Sequence, residues 1–132
     1  MQFAKLYLSA LVAFCALDFT WLGVVAKSLY REQMGHLMRS DVQWGAAVAF
    51  YLIYVGAVVV LCVLPAIERQ SLHRAIGLGA LFGLAAYAAF DLTSLALLKD
   101  YPLKIALIDL AWGTVLTGSV SAAAFLVARA TA

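Results

Sequence analysis

Three aspartates, Asp18, Asp91 and Asp109, stand inside long runs of apolar residues. An ionised side chain at the centre of a membrane helix costs about 2.5–3.5 kcal/mol. Such a carboxyl group must therefore be relieved by a proton, a hydrogen bond, a cation or water. Carboxyl groups held under these conditions can bind cations, exchange protons or act as a general acid and base. The three aspartates are the candidate functional residues of the chain.

The apolar runs around these acids have the length of membrane spans. The chain has 132 residues, of which 66% are hydrophobic and 12% charged, and a soluble domain of this size cannot bury that much apolar surface. A membrane-spanning helix needs about 20 apolar residues. The predicted spans are residues 7–26, 44–67, 75–98 and 103–128. The expected fold is all-α, an integral membrane up-down four-transmembrane-helix bundle, with residues 1–132 as a single domain.

The three aspartates are predicted to lie at one depth. Asp18 stands eight residues before the end of the first span, Asp91 seven before the end of the third, and Asp109 six after the start of the fourth. At about 1.5 Å per residue, all three lie roughly 9–12 Å below one membrane face. We call this face the loop side, because it carries the first and third interhelical links. Tyr51 of the second span falls in the same layer, so each helix is expected to contribute a polar group.

Aromatic and hydroxyl residues accompany the acids. Residues three or four apart share a helix face, which places Trp21 beside Asp18 and Trp112 beside Asp109. Indole and phenol rings can bind a cation through their π faces. The predicted ligand- or proton-binding residues are Asp18, Asp91, Asp109, Trp21, Trp112, Tyr51, Tyr87, Thr93 and Ser94.

Small residues predict which way the third and fourth helices face. Gly79 and Gly83 form a GxxxG pattern on the same stripe as Asp91, and Gly113 lies on the Asp109 face. Glycines at this spacing allow another helix to approach closely. The three glycines are therefore predicted helix-packing residues, and the acids are expected to point into the bundle.

The loop side also carries aromatic residues, and the basic residues are divided between the two faces. Tyr30, Trp44 and Tyr101 are expected in an interfacial aromatic belt on the loop side. Four Lys or Arg residues fall on the face of the termini and five on the loop side, so the positive-inside rule does not decide the orientation.

Several function classes are disfavoured by composition and spacing. A net charge of +2 is too small for a nucleic-acid binder. His36 and His73 fall in opposite loops, so no metal site is predicted. The chain has no nucleophile–histidine arrangement and no nucleotide fingerprint, so neither catalytic residues nor a cofactor can be named.

The chain resembles a known family through three segments, Ala16–Gly23, Phe90–Thr93 and Ile108–Gly113. They are similar to those of small four-helix bacterial inner-membrane proteins classed as domain of unknown function 2177. The resemblance implies a multi-pass protein of the bacterial inner (cytoplasmic) membrane and brings no activity with it. In size and helix number the chain is also similar to the small multidrug resistance transporters, whose one essential acid is a glutamate in the first helix.

Three functions fit these features. The acidic layer could bind or transport a small amphipathic or cationic molecule or a proton. The chain could instead be an accessory subunit of a larger membrane complex, or a homo-oligomer, with the acids holding helices together through hydrogen bonds. Paired acids could also serve a membrane-embedded enzyme that modifies a lipid or isoprenoid. In each case the lipid bilayer is the expected partner.

Overall fold

The computed structural model describes residues 2–25, 28, 32 and 43–131, and four long helices account for most of them. Helix α1 (Gln2–Thr20) continues as a π-helical segment, Trp21–Val25. It is followed by α2 (Trp44–Glu68), α3 (Leu72–Leu97) and α4 (Leu103–Ala130). Each has the length and hydropathy of a membrane span, and the described residues contain no strand. The predicted all-α membrane fold is confirmed. The helix ends lie within a few residues of the predicted spans, except that α1 begins five residues earlier.

The outer surface of the bundle is apolar. Large aliphatic side chains on every helix are more than half exposed, among them Val12, Ile53, Leu81 and Val115. Water would make such a continuous apolar surface unfavourable, whereas hydrocarbon tails solvate it. The chain is therefore a multi-pass membrane protein whose lipid partner covers these side chains.

Helix α4 contacts each of the other three helices and packs most closely against α3. A Cβ atom added at Gly79 would lie 2.6 Å from the Thr117 carbonyl oxygen, and one at Gly83 would overlap the Gly113 carbonyl oxygen. Only glycine leaves room for two backbones at this separation. A hydrogen bond of 2.7 Å between the Tyr54 and Thr117 hydroxyls joins α2 to α4.

Two helices contain a π-helical turn. In α2 the turn Val59–Val63 precedes Pro65, which lacks an N–H group and whose ring would clash with the carbonyl four residues earlier. In α1 the turn follows Thr20, whose hydroxyl donates to the Ala16 carbonyl oxygen at 2.7 Å, a bond that bends helices. The π-helical turn of α1 begins at Trp21, so it affects the direction in which the Trp21 indole leaves the helix.

The described interhelical turns are short. Between α2 and α3, the Ser71 side chain caps α3 by accepting the Arg74 N–H at 3.2 Å. Between α3 and α4, Asp100 adopts a left-handed conformation with φ 61°, which aspartate tolerates, and Pro102 opens α4. This reversal directs Tyr101, the residue between them, back into the protein.

Candidate functional site

Asp18 is held by hydrogen bonds from two other helices. Its Oδ2 accepts the Tyr51 hydroxyl of α2 at 2.5 Å, and its Oδ1 accepts the Trp112 Nε1–H of α4 at 3.2 Å. The side chain is 6% exposed. Because both oxygens have a donor, this buried carboxyl is compensated without any further ligand. We call these residues, together with Trp21, the Asp18 cluster.

Aromatic rings enclose the Asp18 cluster. The indoles of Trp21 and Trp112 stack with centroids 4.5 Å apart and planes 8° from parallel. The Tyr51 ring meets the edge of Phe14 at 4.9 Å. One face of each indole is therefore covered by the other indole, and these rings serve mainly to hold α1 against its neighbours.

Asp91 of α3 has a different environment. Its side chain is 0% exposed, and its Oδ1 accepts the Tyr101 hydroxyl at 2.9 Å. Its Oδ2 is also buried and has no hydrogen-bond partner among the residues that the structure describes. A buried carboxylate oxygen without a donor is costly, because it has lost its hydration and gained nothing in return.

The carboxyl group of Asp91 lies close enough to that of Asp109 on α4 for the two to interact. An ionised carboxylate only accepts hydrogen bonds, so two carboxyl groups bond to each other only when one of them carries a proton. If both neighbouring carboxyl groups were ionised inside a membrane, their negative charges would repel each other strongly. We call these two residues the carboxyl pair.

Tyr87 lies between the two groups of acids. Its hydroxyl is within electrostatic range of both Asp18 and Asp109, and Gly113 of α4 provides the space for its ring. A Cβ atom at Gly113 would lie 2.5 Å from Tyr87 Cδ1. Tyr87 stands one helical turn deeper than Asp91 on the same face of α3, and its hydroxyl interacts electrostatically with one acid of each group.

The Tyr101 hydroxyl remains a hydrogen-bond donor over a wide pH range. Burial, followed by the hydrogen bond to the Asp91 carboxyl, raises the pKa of Tyr101 above its usual value near 10. The phenol is thus a neutral donor at any physiological pH.

Comparison with known proteins places the chain in a family. The family model of predicted membrane proteins DUF2177 matches residues 3–126. The chain belongs to this family. The match confirms the resemblance found in the sequence. No curated protein and no solved structure matches the chain.

The matched region of this DUF2177 chain includes every predicted site residue, and most of them come together in the bundle. The structure divides them into the Asp18 cluster, the carboxyl pair and Tyr87 between them. Two predicted residues stand apart: Thr93 is exposed and Ser94 is half-buried. The structure records no hydrogen bond from either hydroxyl to an aspartate. Within the described residues, no three His, Cys, Asp or Glu side chains are grouped as metal ligands.

Tyr101 is a site residue that the sequence patterns missed. Its expected place in the lipid-facing aromatic belt is wrong, because it is 6% exposed and bonded to Asp91. Trp44 is 66% exposed at the start of α2, as an interfacial residue should be, and Tyr30 lies outside the described residues. One feature of the sequence could have indicated this position. Asp100, a residue type that tolerates positive φ, directly precedes Tyr101 in a turn that is too short to carry the ring away from α3.

Proposed function

We propose that this DUF2177 protein binds a proton or a small amphipathic cation at the carboxyl pair and exchanges one for the other in the bacterial cytoplasmic membrane. One observation carries the proposal. Asp91 is fully buried beside a second carboxyl group, and its Oδ2 has no donor among the described residues. A positive charge or a proton at this position would complete the site.

The comparison with Asp18 supports this choice of acids. Within the part of the chain that the structure describes, the Asp18 carboxyl group accepts two hydrogen bonds and that of Asp91 accepts one. With a proton between Asp91 and Asp109, the pair carries one negative charge rather than two. A bound monovalent cation would displace that proton, so one positive charge enters as one leaves and the charge of the site does not change.

The packing of the bundle favours exchange from the loop side. The core on the other side of the acids is mainly apolar: Leu6, Val59, Val120 and Ala124 are fully buried there, and the buried polar groups among them are the hydroxyls of Thr117 and Ser121. Such a core presents a high barrier to a charge. Carriage through to the opposite face would require these helices to rearrange, as transporters do when one half of a bundle moves against the other.

The test is proton release by purified protein in weakly buffered detergent when tetraphenylphosphonium, a lipophilic cation, is added. The wild type is expected to release about one proton per bound cation, because one shared proton is displaced. Asp91→Asn and Asp109→Asn should release none. Asp100→Asn is the matched control: it removes an exposed acid from the adjacent turn and should behave as wild type. Equal release from all four proteins would overturn the proposal.

The proximity of two carboxyl groups also favours one alternative. A pair that shares a proton can donate and accept one in the same reaction, as a membrane-embedded enzyme acting on a lipid or isoprenoid requires. The lipids of cells with and without the intact Asp91 side chain distinguish the two functions. A lipid species that disappears with Asp91→Asn favours the enzyme, and unchanged lipid profiles contradict it.

A further inference from the structure

We propose that Tyr101 is the positioning residue of the carboxyl pair and its cover on the loop side. The inference rests on the proposed function, because it assigns to Tyr101 a role toward the proton that the pair is proposed to hold. The observations that carry it are the burial of Tyr101, its hydrogen bond to Asp91 and the turn geometry that places it there.

The turn between α3 and α4 fixes the Tyr101 side chain. Helix α3 ends at Leu97, Asp100 reverses the chain at φ 61°, and Pro102 restricts the backbone of Tyr101, the residue before it. The ring of Tyr101 then meets that of Phe90 nearly perpendicularly, with centroids 6.2 Å apart. A side chain held at its backbone and at its ring has little rotational freedom, so its hydroxyl keeps one direction.

The Tyr101 hydroxyl determines which oxygen of Asp91 is used. It donates to Oδ1 at 2.9 Å, which leaves Oδ2 as the oxygen without a protein donor among the described residues. A proton or cation is therefore directed to Oδ2. The same phenol belongs to the loop-side turn, so its buried ring also covers Asp91 from that turn.

Other titratable groups surround the carboxyl pair from each helix. Tyr87 of α3 stands one turn deeper than Asp91 and interacts electrostatically with Asp109, and also with Asp18 of α1 and Tyr51 of α2. The turn itself carries exposed charges at Lys99, Asp100 and Lys104. A test of Tyr101 must therefore report on the pair itself and not on the net charge of the protein.

The infrared carbonyl stretch of a protonated carboxyl group is such a readout. A difference spectrum between the wild type and Asp91→Asn isolates the band of the pair, and transfer to deuterated buffer gives its exchange rate. In Tyr101→Phe the band should persist at a shifted frequency and exchange faster by about tenfold, the size expected for loss of one hydrogen bond. In Tyr101→Ala, which also removes the ring, exchange should be faster still.

Tyr7→Phe is the matched control, because it deletes a hydroxyl that donates to the Leu52 carbonyl oxygen in another part of the bundle. A Tyr101→Phe protein with the same frequency and exchange rate as Tyr7→Phe would overturn the role of Tyr101. A band that persists in Asp109→Asn at its wild-type frequency, or its absence from the wild type, would instead overturn the shared proton and with it the proposed function.

Discussion

Asp18 and Asp91 were expected at the same depth, yet their surroundings differ in kind. The Asp18 carboxyl group accepts hydrogen bonds from α2 and α4, so it joins three helices and each of its oxygens has a donor. Among the residues that the structure describes, Asp91 accepts a hydrogen bond from Tyr101 alone, and its carboxyl group lies near that of Asp109. Two aspartates in one bundle thus have different compensation for burial: Asp18 has a donor on each oxygen, whereas Asp91 has a donor on one oxygen and a second acid nearby.

The difference between Asp18 and Asp91 suggests a structural role for the first and a chemical role for the second. A buried acid whose donors are complete stabilises the arrangement that supplies them, and losing it leaves those donors unsatisfied. A buried acid with an oxygen that lacks a hydrogen-bond donor lowers the stability of the folded protein. Such residues are found mainly at functional sites. We therefore infer that the Asp18 cluster holds the bundle together and that the carboxyl pair is the site of exchange.

The largest expected effect is on stability. Asp18→Ala leaves the Tyr51 hydroxyl and the Trp112 N–H without an acceptor and should lower the free energy of unfolding by about 2–3 kcal/mol. Asp91→Ala orphans one donor but removes the carboxyl–carboxyl contact, so its cost should stay below about 1 kcal/mol. Unfolding of the detergent-solubilised protein by increasing dodecyl sulfate measures both. Equal losses for the two variants would remove the distinction between the clusters.

The sequence predicted much of this arrangement. Hydropathy and the absence of long polar stretches determined the four spans, since a bilayer imposes their length. Small-residue spacing predicted that Gly79 and Gly83 face another helix, and both lie against the α4 backbone. The common depth of Asp18, Asp91 and Asp109, taken from the rise per residue, stays a prediction. These properties are local, so they can be read along a single helix.

The division of the acids into two groups could not be predicted in the same way. It depends on which residue of one helix meets which residue of the next, and this is set by the rotation of each helix about its axis. The burial of Tyr101 depends on one left-handed residue, Asp100, in a turn whose conformation hydropathy does not describe. Thr93 was predicted as a site residue because it stands two positions after Asp91 in the same sequence segment. It is exposed, whereas Asp91 is buried, so the two residues do not share a face of α3.

A smaller effect should follow from disturbing the connection between the two groups. In Gly113→Ala the new methyl group would overlap the Tyr87 ring and displace its hydroxyl from between the acids. The expected loss is about 1–2 kcal/mol, as for overpacked cores. Gly77→Ala is the control, because nothing lies within 4 Å of a Cβ atom there, and it should be neutral or slightly stabilising. If both variants unfold at the same dodecyl sulfate concentration, the Tyr87 ring does not pack against Gly113 as closely as described.

The next prediction concerns the coupling inside the Asp18 cluster. Tyr51→Phe and Trp112→Phe each remove one donor to the same carboxylate, so their effects on stability should not add. A coupling energy of about 0.6 kcal/mol is expected, the average for interhelical hydrogen bonds in membranes. Tyr7→Phe combined with Trp112→Phe provides the additive reference, since the Tyr7 hydroxyl donates to a backbone carbonyl elsewhere. Additivity in both pairs would show that Asp18 does not link the two donors.

The smallest effect appears only at alkaline pH and concerns Tyr101. Because burial and the Asp91 carboxyl raise its pKa in the folded protein, the folded state keeps the phenol proton at a pH where the unfolded chain releases it. The stabilisation by Tyr101 is thus fully present below the unfolded pKa of about 10 and declines as pH rises toward the folded value. The stability difference between the wild type and Tyr101→Phe should therefore be constant up to pH of about 10 and then shrink. A difference that stays constant well above that pH would mean that Tyr101 is not held as a neutral donor to Asp91.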